Sequence, residues 1–254
     1  MATTIPAADV VARAFAMPLA NPAYPPPPDR FLDRVSLTVT YRSDFDKVAA
    51  LVPEPLTVTD PTVSIAFLFM RAPKLGDYYE VAQSISTELN GEPLLFRPAM
   101  YAGSVAAVLQ EREWWGLPKK FGAPMVGLHN DTVVGTRECS GALVAKATMG
   151  YGHQTMEPDD AERAADSPGV VLKIIPHLVR FGYGDVVVKE AYTGPGTLDL
   201  YPAHAGALGG ASGAGDRVCD THGIRCDPPS GRSGARLPGV GPPADLEATS
   251  LTNP

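Results

Sequence analysis

Alternating apolar and polar positions run along most of the chain, and a period of two predicts strands. Residues 34–41, RVSLTVTY, are a β-branched run that alternates apolar and polar positions. Residues 62–70, TVSIAFLFM, are apolar almost without a break and predict a strand covered on both faces. Further strands are expected at 78–89, 100–113, 125–131, 132–139, 142–151, 169–176, 184–194 and 196–201, separated by Gly, Asn-Asp and Pro. Helical spacing is confined to about 7–15, to 44–52 with Asp44 as a cap and Pro53 as a stop, and to 157–166. Four consecutive prolines hold the stretch after the first helix extended. The pattern predicts a mainly antiparallel β fold with a few helices, α+β in class, built as a barrel or closed sheet. No internal repeat is present.

The pattern stops at residue 201. Residues 202–254 hold no Phe, Trp or Tyr, and Gly and Pro make up about a third of them. Such a composition buries too little apolar surface to offset the entropy of ordering, so this tail is expected to be disordered. Residues 1–201 are expected to form the single folded domain.

Composition narrows the function classes. Of the 254 residues, 44% are hydrophobic and 19% charged, enough for a sizeable core, and the net charge is −7. That charge disfavours a nucleic-acid partner, which needs a basic face. Three cysteines, Cys139, Cys219 and Cys226, are too few for a disulfide framework and fit a reducing compartment. Neither a signal peptide nor a membrane span is legible, so a cytoplasmic protein is expected. The five histidines show no metal-ligand spacing. Cys219, His222 and Cys226 do spell C-x2-H-x3-C, but they lie in the tail, whose reading is questioned below.

Residues 111–124, EREWWGLPKKFGAP, carry the candidate chemistry. Paired lysines are ordinarily a solvated turn. Here they follow Trp114, Trp115, Leu117 and Pro118, groups able to bury an amine. A buried Lys119 would be a nucleophile able to form a Schiff base with a carbonyl compound. Such an amine must lose its proton near neutral pH. Burial and a cationic neighbour can each lower a lysine pKa. Successive side chains of an extended segment point to opposite faces, so Lys120 should point away, which favours burial as the cause.

The same stretch resembles the acetoacetate decarboxylase family. NPAYP, YRSDFDKVAALVPEPL, YYEVAQSI, REW before GLPKKFGAP, ATMGYGH, LKIIP and KEAYTGP also resemble it, in the family's order, over about residues 17–201. The resemblance implies a cone-like β-barrel, a homo-oligomer, and decarboxylation of a 3-oxo acid without metal or cofactor. It implies Lys119 as the Schiff-base lysine, Lys120 as its neighbour and Glu80 as an active-site carboxylate. It also implies Arg34 near the substrate carboxylate, with Met100 and Tyr101 lining the pocket. Each has an ordinary reading: surface cations, a solvent-facing strand carboxylate and plain core. An aldolase-dehydratase using the same lysine, or a non-catalytic or inactive binding barrel, is the alternative function.

Three departures stand out. Ala66 occupies the place where the family often carries a second glutamate, and the stretch between LKIIP and DVVVKEAYTGP is short. The third is the tail. Reverse-translated and read one base later, residues 215–222, GDRVCDTH, permit EIVSATHM, a family-like segment. The expectation is a single-base insertion near the codons of Pro202 and Ala203. Resequencing the gene there should find it, and an intact frame in an independent read ends the idea.

Overall fold

The computed structural model describes residues 4–173, 177–184, 186–201, 220–227 and 248–250. In chain order these form α1 (Ala7–Arg13), β1 (Asp33–Arg42), α2 (Phe45–Ala49), β2 (Thr62–Ala72), β3 (Gly76–Leu89), β4 (Glu92–Ala102) and α3 (Val105–Trp114). They continue as β5 (Lys119–Phe121), β6 (Ala123–His129), β7 (Thr132–Cys139), β8 (Ala142–Gly150), β9 (Gln154–Thr155) and α4 (Pro158–Ala165). The last are β10 (Gly169–Lys173), β11 (His177–Phe181), β12 (Val187–Leu200), β13 (Asp220–Asp227) and β14 (Ala248–Ser250). The protein is mostly β with four helices among the described residues, as the pattern predicts.

The strands join in the order β14-β11-β10-β4-β3-β2-β1-β13-β12-β8-β7-β6, with β5 on β4 and β9 on β12. Pairing is antiparallel except where β4 meets β10 and β5. The unbroken apolar run of β2 has its predicted cause. Val63, Ile65 and Phe67 enter one core with Leu37, Val81, Ile85 and Tyr101. Leu68 and Met70, with Ala66 packed against them, enter a second core with Tyr78, Ala82 and Met100. The first core also takes Val126, Val133, Ala147 and Met149 from β6–β8, so the sheet curls back over itself. Gly135 of β7 shows how closely: a Cβ there would stand 2.5 Å from the Phe67 ring. The second core is roofed by α3, through Ala107 and Val108, and by Val171 and Val179 of the β10–β11 hairpin. Burying each large aliphatic or aromatic side chain contributes about 1.5–3 kcal/mol.

Several expectations change. Residues 100–113 are not one strand: β4 ends at Ala102 and α3 begins at Val105, because Ser104 caps the helix by accepting the Ala107 N–H at 3.3 Å. The strands expected at 184–194 and 196–201 are one, β12, which runs on through Gly194-Pro195-Gly196. A strand missing from the sequence reading, β11, pairs with β10 from Gly169↔Phe181 to Lys173↔His177. The tail expected to be disordered contributes β14 to β11, and β13 lies between β1 and β12. The rest of 202–254 lies outside the described residues, as does Cys219. No helix among the described residues is long and apolar enough to cross a membrane.

Candidate active site

The second core face carries the chemistry. Ala66 of β2, Ala82 of β3, Met100 of β4 and Lys119 of β5 stand in one register row across four strands. Residues in such a row present side chains to the same face. Glu80 stands two residues from Ala82 on that face, in register with Ala102. Lys119 is 1% exposed and Glu80 2%, and they form a direct ion pair.

A second carboxylate comes from α3. Glu111, 8% exposed, places Oε2 2.6 Å from Lys119 Nζ. Its other oxygen, Oε1, accepts the Tyr78 hydroxyl at 3.3 Å. Lys119 Nζ also sits 5.4 Å from the centre of the Tyr78 ring.

Local chain geometry brings Glu111 to Lys119. After α3, Gly116 turns the backbone with φ +75, and the Leu117 N–H donates to the Glu111 carbonyl at 3.1 Å. Arg112 then donates to the Lys119 carbonyl at 2.8 Å, tying β5 to the helix. Lys173 Nζ donates to the Glu113 and Trp114 carbonyls, both at 2.9 Å, closing the helix C-terminus where a cation is favoured. The proline-rich arm holds the other side of α3. Gln110 donates to the Pro25 carbonyl at 3.0 Å, and Tyr24 donates to the Glu113 carboxylate at 2.5 Å.

The electrostatics correct the expected state of the lysine. Burial is as foreseen and, acting alone, would lower the Lys119 pKa. Glu111 and Glu80 act in the opposite direction and outweigh it, so the net shift is upward. Burial pushes the Glu111 carboxyl above its ordinary value, reinforced by Glu80 and opposed by Lys119. Burial, then Glu111 and Glu80, push the Tyr78 phenol well above its usual value. The cluster can therefore hold a proton on the amine or pass it to a neighbouring carboxylate.

The other expected residues divide. Met100 is in the row with Lys119 and is buried. Leu117 is buried in the same core, and Trp115 packs against it. Arg34 of β1 is half-buried, donates to the Ala165 carbonyl at 2.8 Å and lies 5.0 Å from the Tyr183 ring centre. Lys120 is exposed, and Tyr101 enters the first core, on the opposite face from Lys119. The Tyr101 ring there meets Lys120 Nζ at 5.6 Å and the Arg137 guanidinium at 3.7 Å.

Sequence reasoning missed Glu111, because a strand through 100–113 gives it no fixed partner. The signal was available. Ser104 followed by VAAVLQERE is a capped run of good helix formers, with Gly116 as the stop.

Comparison with known proteins places this geometry. The family model for acetoacetate decarboxylase (ADC) matches residues 16–208. Acetoacetate decarboxylase 1 of Bradyrhizobium diazoefficiens is 43% identical over 204 residues, covering 76% of this chain and 82% of the relative. A solved acetoacetate decarboxylase superposes with a TM-score of 0.81 at 33% identity, over 86% of this chain and 93% of the other. The enduracididine biosynthesis enzyme MppR, solved with pyruvate, shares the fold with a TM-score of 0.63 at 18% identity, over 84% of this chain and 94% of the other. The chain belongs to the acetoacetate decarboxylase family.

Proposed function

We propose that the protein is a carboxy-lyase that decarboxylates acetoacetate or a related 3-oxo acid through a ketimine on Lys119. The observation that carries this reading is a lysine 1% exposed on an apolar sheet face, with carboxylates on its amine. A structural lysine has little reason to be so deeply buried.

The steps follow from this arrangement. The Lys119 amine attacks the ketone carbon, water leaves, and a protonated ketimine forms. The bond to the carboxylate carbon then breaks, and its electron pair flows to the iminium nitrogen, giving CO2 and an enamine. A proton returned to carbon gives the ketimine of the product ketone, which water hydrolyses. The low-polarity core face favours this charge-neutralising step, since CO2 needs no solvation as an anion. Arg34 orients the substrate carboxylate. Glu80 holds the amine in place and exchanges protons with it. Met100 supplies apolar wall, while Lys120 and Tyr101 lie on the far face, away from the amine. On this reading the sheet closes as a cone, and the protein works in the cytoplasm as a homo-oligomer with no metal or cofactor.

The test is reduction in the act. Borohydride added during turnover of acetoacetate should fix the adduct on Lys119, found by peptide mass mapping, while CO2 is released. An adduct without CO2 would favour the aldolase-dehydratase reading, to which Ala66 in place of a glutamate lends support. No adduct and no CO2 would leave a non-catalytic barrel.

A further inference from the structure

We propose that Arg137 forms an anion-binding site on the opposite face of the sheet from Lys119, and that its ligand is a small carboxylate. The inference goes beyond the Schiff-base reading and does not depend on it.

The starting observation is a buried charge without a partner. Val133, Gly135 and Arg137 alternate along β7 and share its buried face. Val133 and the Phe67 ring that meets Gly135 both belong to the first core, so Arg137 points into that core as well. Arg137 is 4% exposed, and its guanidinium lies 3.7 Å from the centre of the Tyr101 ring. Its Nε and Nη1 are buried, and neither has a hydrogen-bond partner among the described residues. No carboxylate among the described residues forms an ion pair with it. A charge taken out of water is costly unless it is paired, and a stack on one ring offsets only part of that cost.

The surroundings complete a site. The ladder between β7 and β8 shifts register between Arg137 and Glu138, and such a bulge re-aims a side chain. Gln83 of β3, 0% exposed, carries a second unpaired group: its Nε2 and Oε1 have no partner either. Gln83 stands in register with Ile65 and Ala99, two first-core residues, and two positions from Val81, which is opposite Tyr101. It is therefore a diagonal neighbour of Tyr101 on the same face, about 7–8 Å away. Lys120, which is exposed, holds Nζ 5.6 Å from the same Tyr101 ring. Positive potential thus leads from the surface to the buried guanidinium.

The chemistry selects the ligand. The planar fork of a guanidinium matches the two oxygens of a carboxylate. The Gln83 amide adds a donor for the same anion. The core around them is apolar, through Val81, Val126 and Val133. Such walls suit a short alkyl body and penalise a dianion such as phosphate more than a monoanion.

Thermal unfolding of the full chain tests this, in sodium acetate against sodium chloride at equal ionic strength. A ligand of the folded state raises Tm with its concentration, which gives an apparent Kd. The native protein should gain stability in acetate over chloride. Arg137→Met keeps an apolar contact with Tyr101 and removes the charge, and its apparent Kd for acetate should be weaker by roughly 10–100-fold. A second variant, Arg137→Lys, keeps a cation without the fork and should be weaker at least about tenfold. Arg34→Met should keep the full response, because Arg34 is in register with Met70 and faces the second core. Acetate and chloride acting alike on the native protein overturns the assignment. So does a native acetate response in either Arg137 variant, its loss in Arg34→Met, or a response to inorganic phosphate and not to acetate.

Discussion

Replacing Lys119 with Met is expected to abolish turnover and to make stability depend on pH in a way the native protein does not. Loss of the nucleophile removes the covalent route, and the rate should fall on the order of 10⁵-fold, to the level that binding alone supplies. The stability effect follows from what remains. Glu80 and Glu111, both buried, would share a site with no cation between them. A buried carboxylate stripped of its partner costs about 3–5 kcal/mol. The site escapes by binding a proton, and Glu111, whose carboxyl burial already raises, is the group to take it, so its folded pKa stands above its unfolded value. The folded variant then holds more protons than the unfolded chain above the ordinary carboxylate range, and its stability falls as pH rises through that window. In the native protein the raised Lys119 pKa acts the other way: its contribution is present below the ordinary lysine pKa and is lost only as strongly alkaline pH is approached. Urea unfolding should find the variant close to native near pH 4.5 and about 3–5 kcal/mol weaker at pH 8. A gap of the same size at both values would show that the carboxylates do not face the vacated position.

Lys119 was legible in the sequence because its neighbours are unusual for a surface lysine and because its motif resembles a known family. Its burial followed from the apolar residues before it, and the outward path of Lys120 from strand alternation. Its charge state did not follow, because a protonation state is set by groups that meet only in space. Glu80 arrives from β3 and Glu111 from α3, and neither distance is written in the spacing. Tyr101 shows the same limit in reverse. It adjoins Met100, so one of the two had to face away from the amine, and the pleat put Tyr101 with Arg137. For the fold, β2 was readable because burial on both faces writes a continuous apolar run. The expected strand at 100–113 failed because the Ala and Val residues that open α3 continue the apolar run of β4, and the Ser104 cap, the helix formers after it and the Gly116 stop mark the change. Composition does not announce β13, whose partners β1 and β12 lie far from it in the sequence.

Gly116→Val is expected to unseat the site without touching a reacting group. Gly116 has φ +75, a region that costs a residue with a Cβ about 1–2 kcal/mol, and β-branching makes it worse. The added Cβ would also stand 2.5 Å from Lys173 Cβ and 2.6 Å from its Cγ. Those atoms lie at the root of the side chain, so Lys173 cannot swing clear by rotating its far end. Nor can it withdraw freely, because its ammonium holds the Glu113 and Trp114 carbonyls at the end of α3. The strain must therefore move either β10 or the turn between α3 and β5, and that turn sets the distance from Glu111 to Lys119. With overpacking adding about 1–3 kcal/mol, the total loss should be about 2–5 kcal/mol. Thermal unfolding reads the first effect. Borohydride trapping reads the second: the rate on Lys119 should fall at least about tenfold at a temperature where the variant is still folded, since a 1 Å misplacement of a reacting pair costs about that or more. A variant that is destabilised yet traps at the native rate would show that the amine does not depend on this turn for its partner.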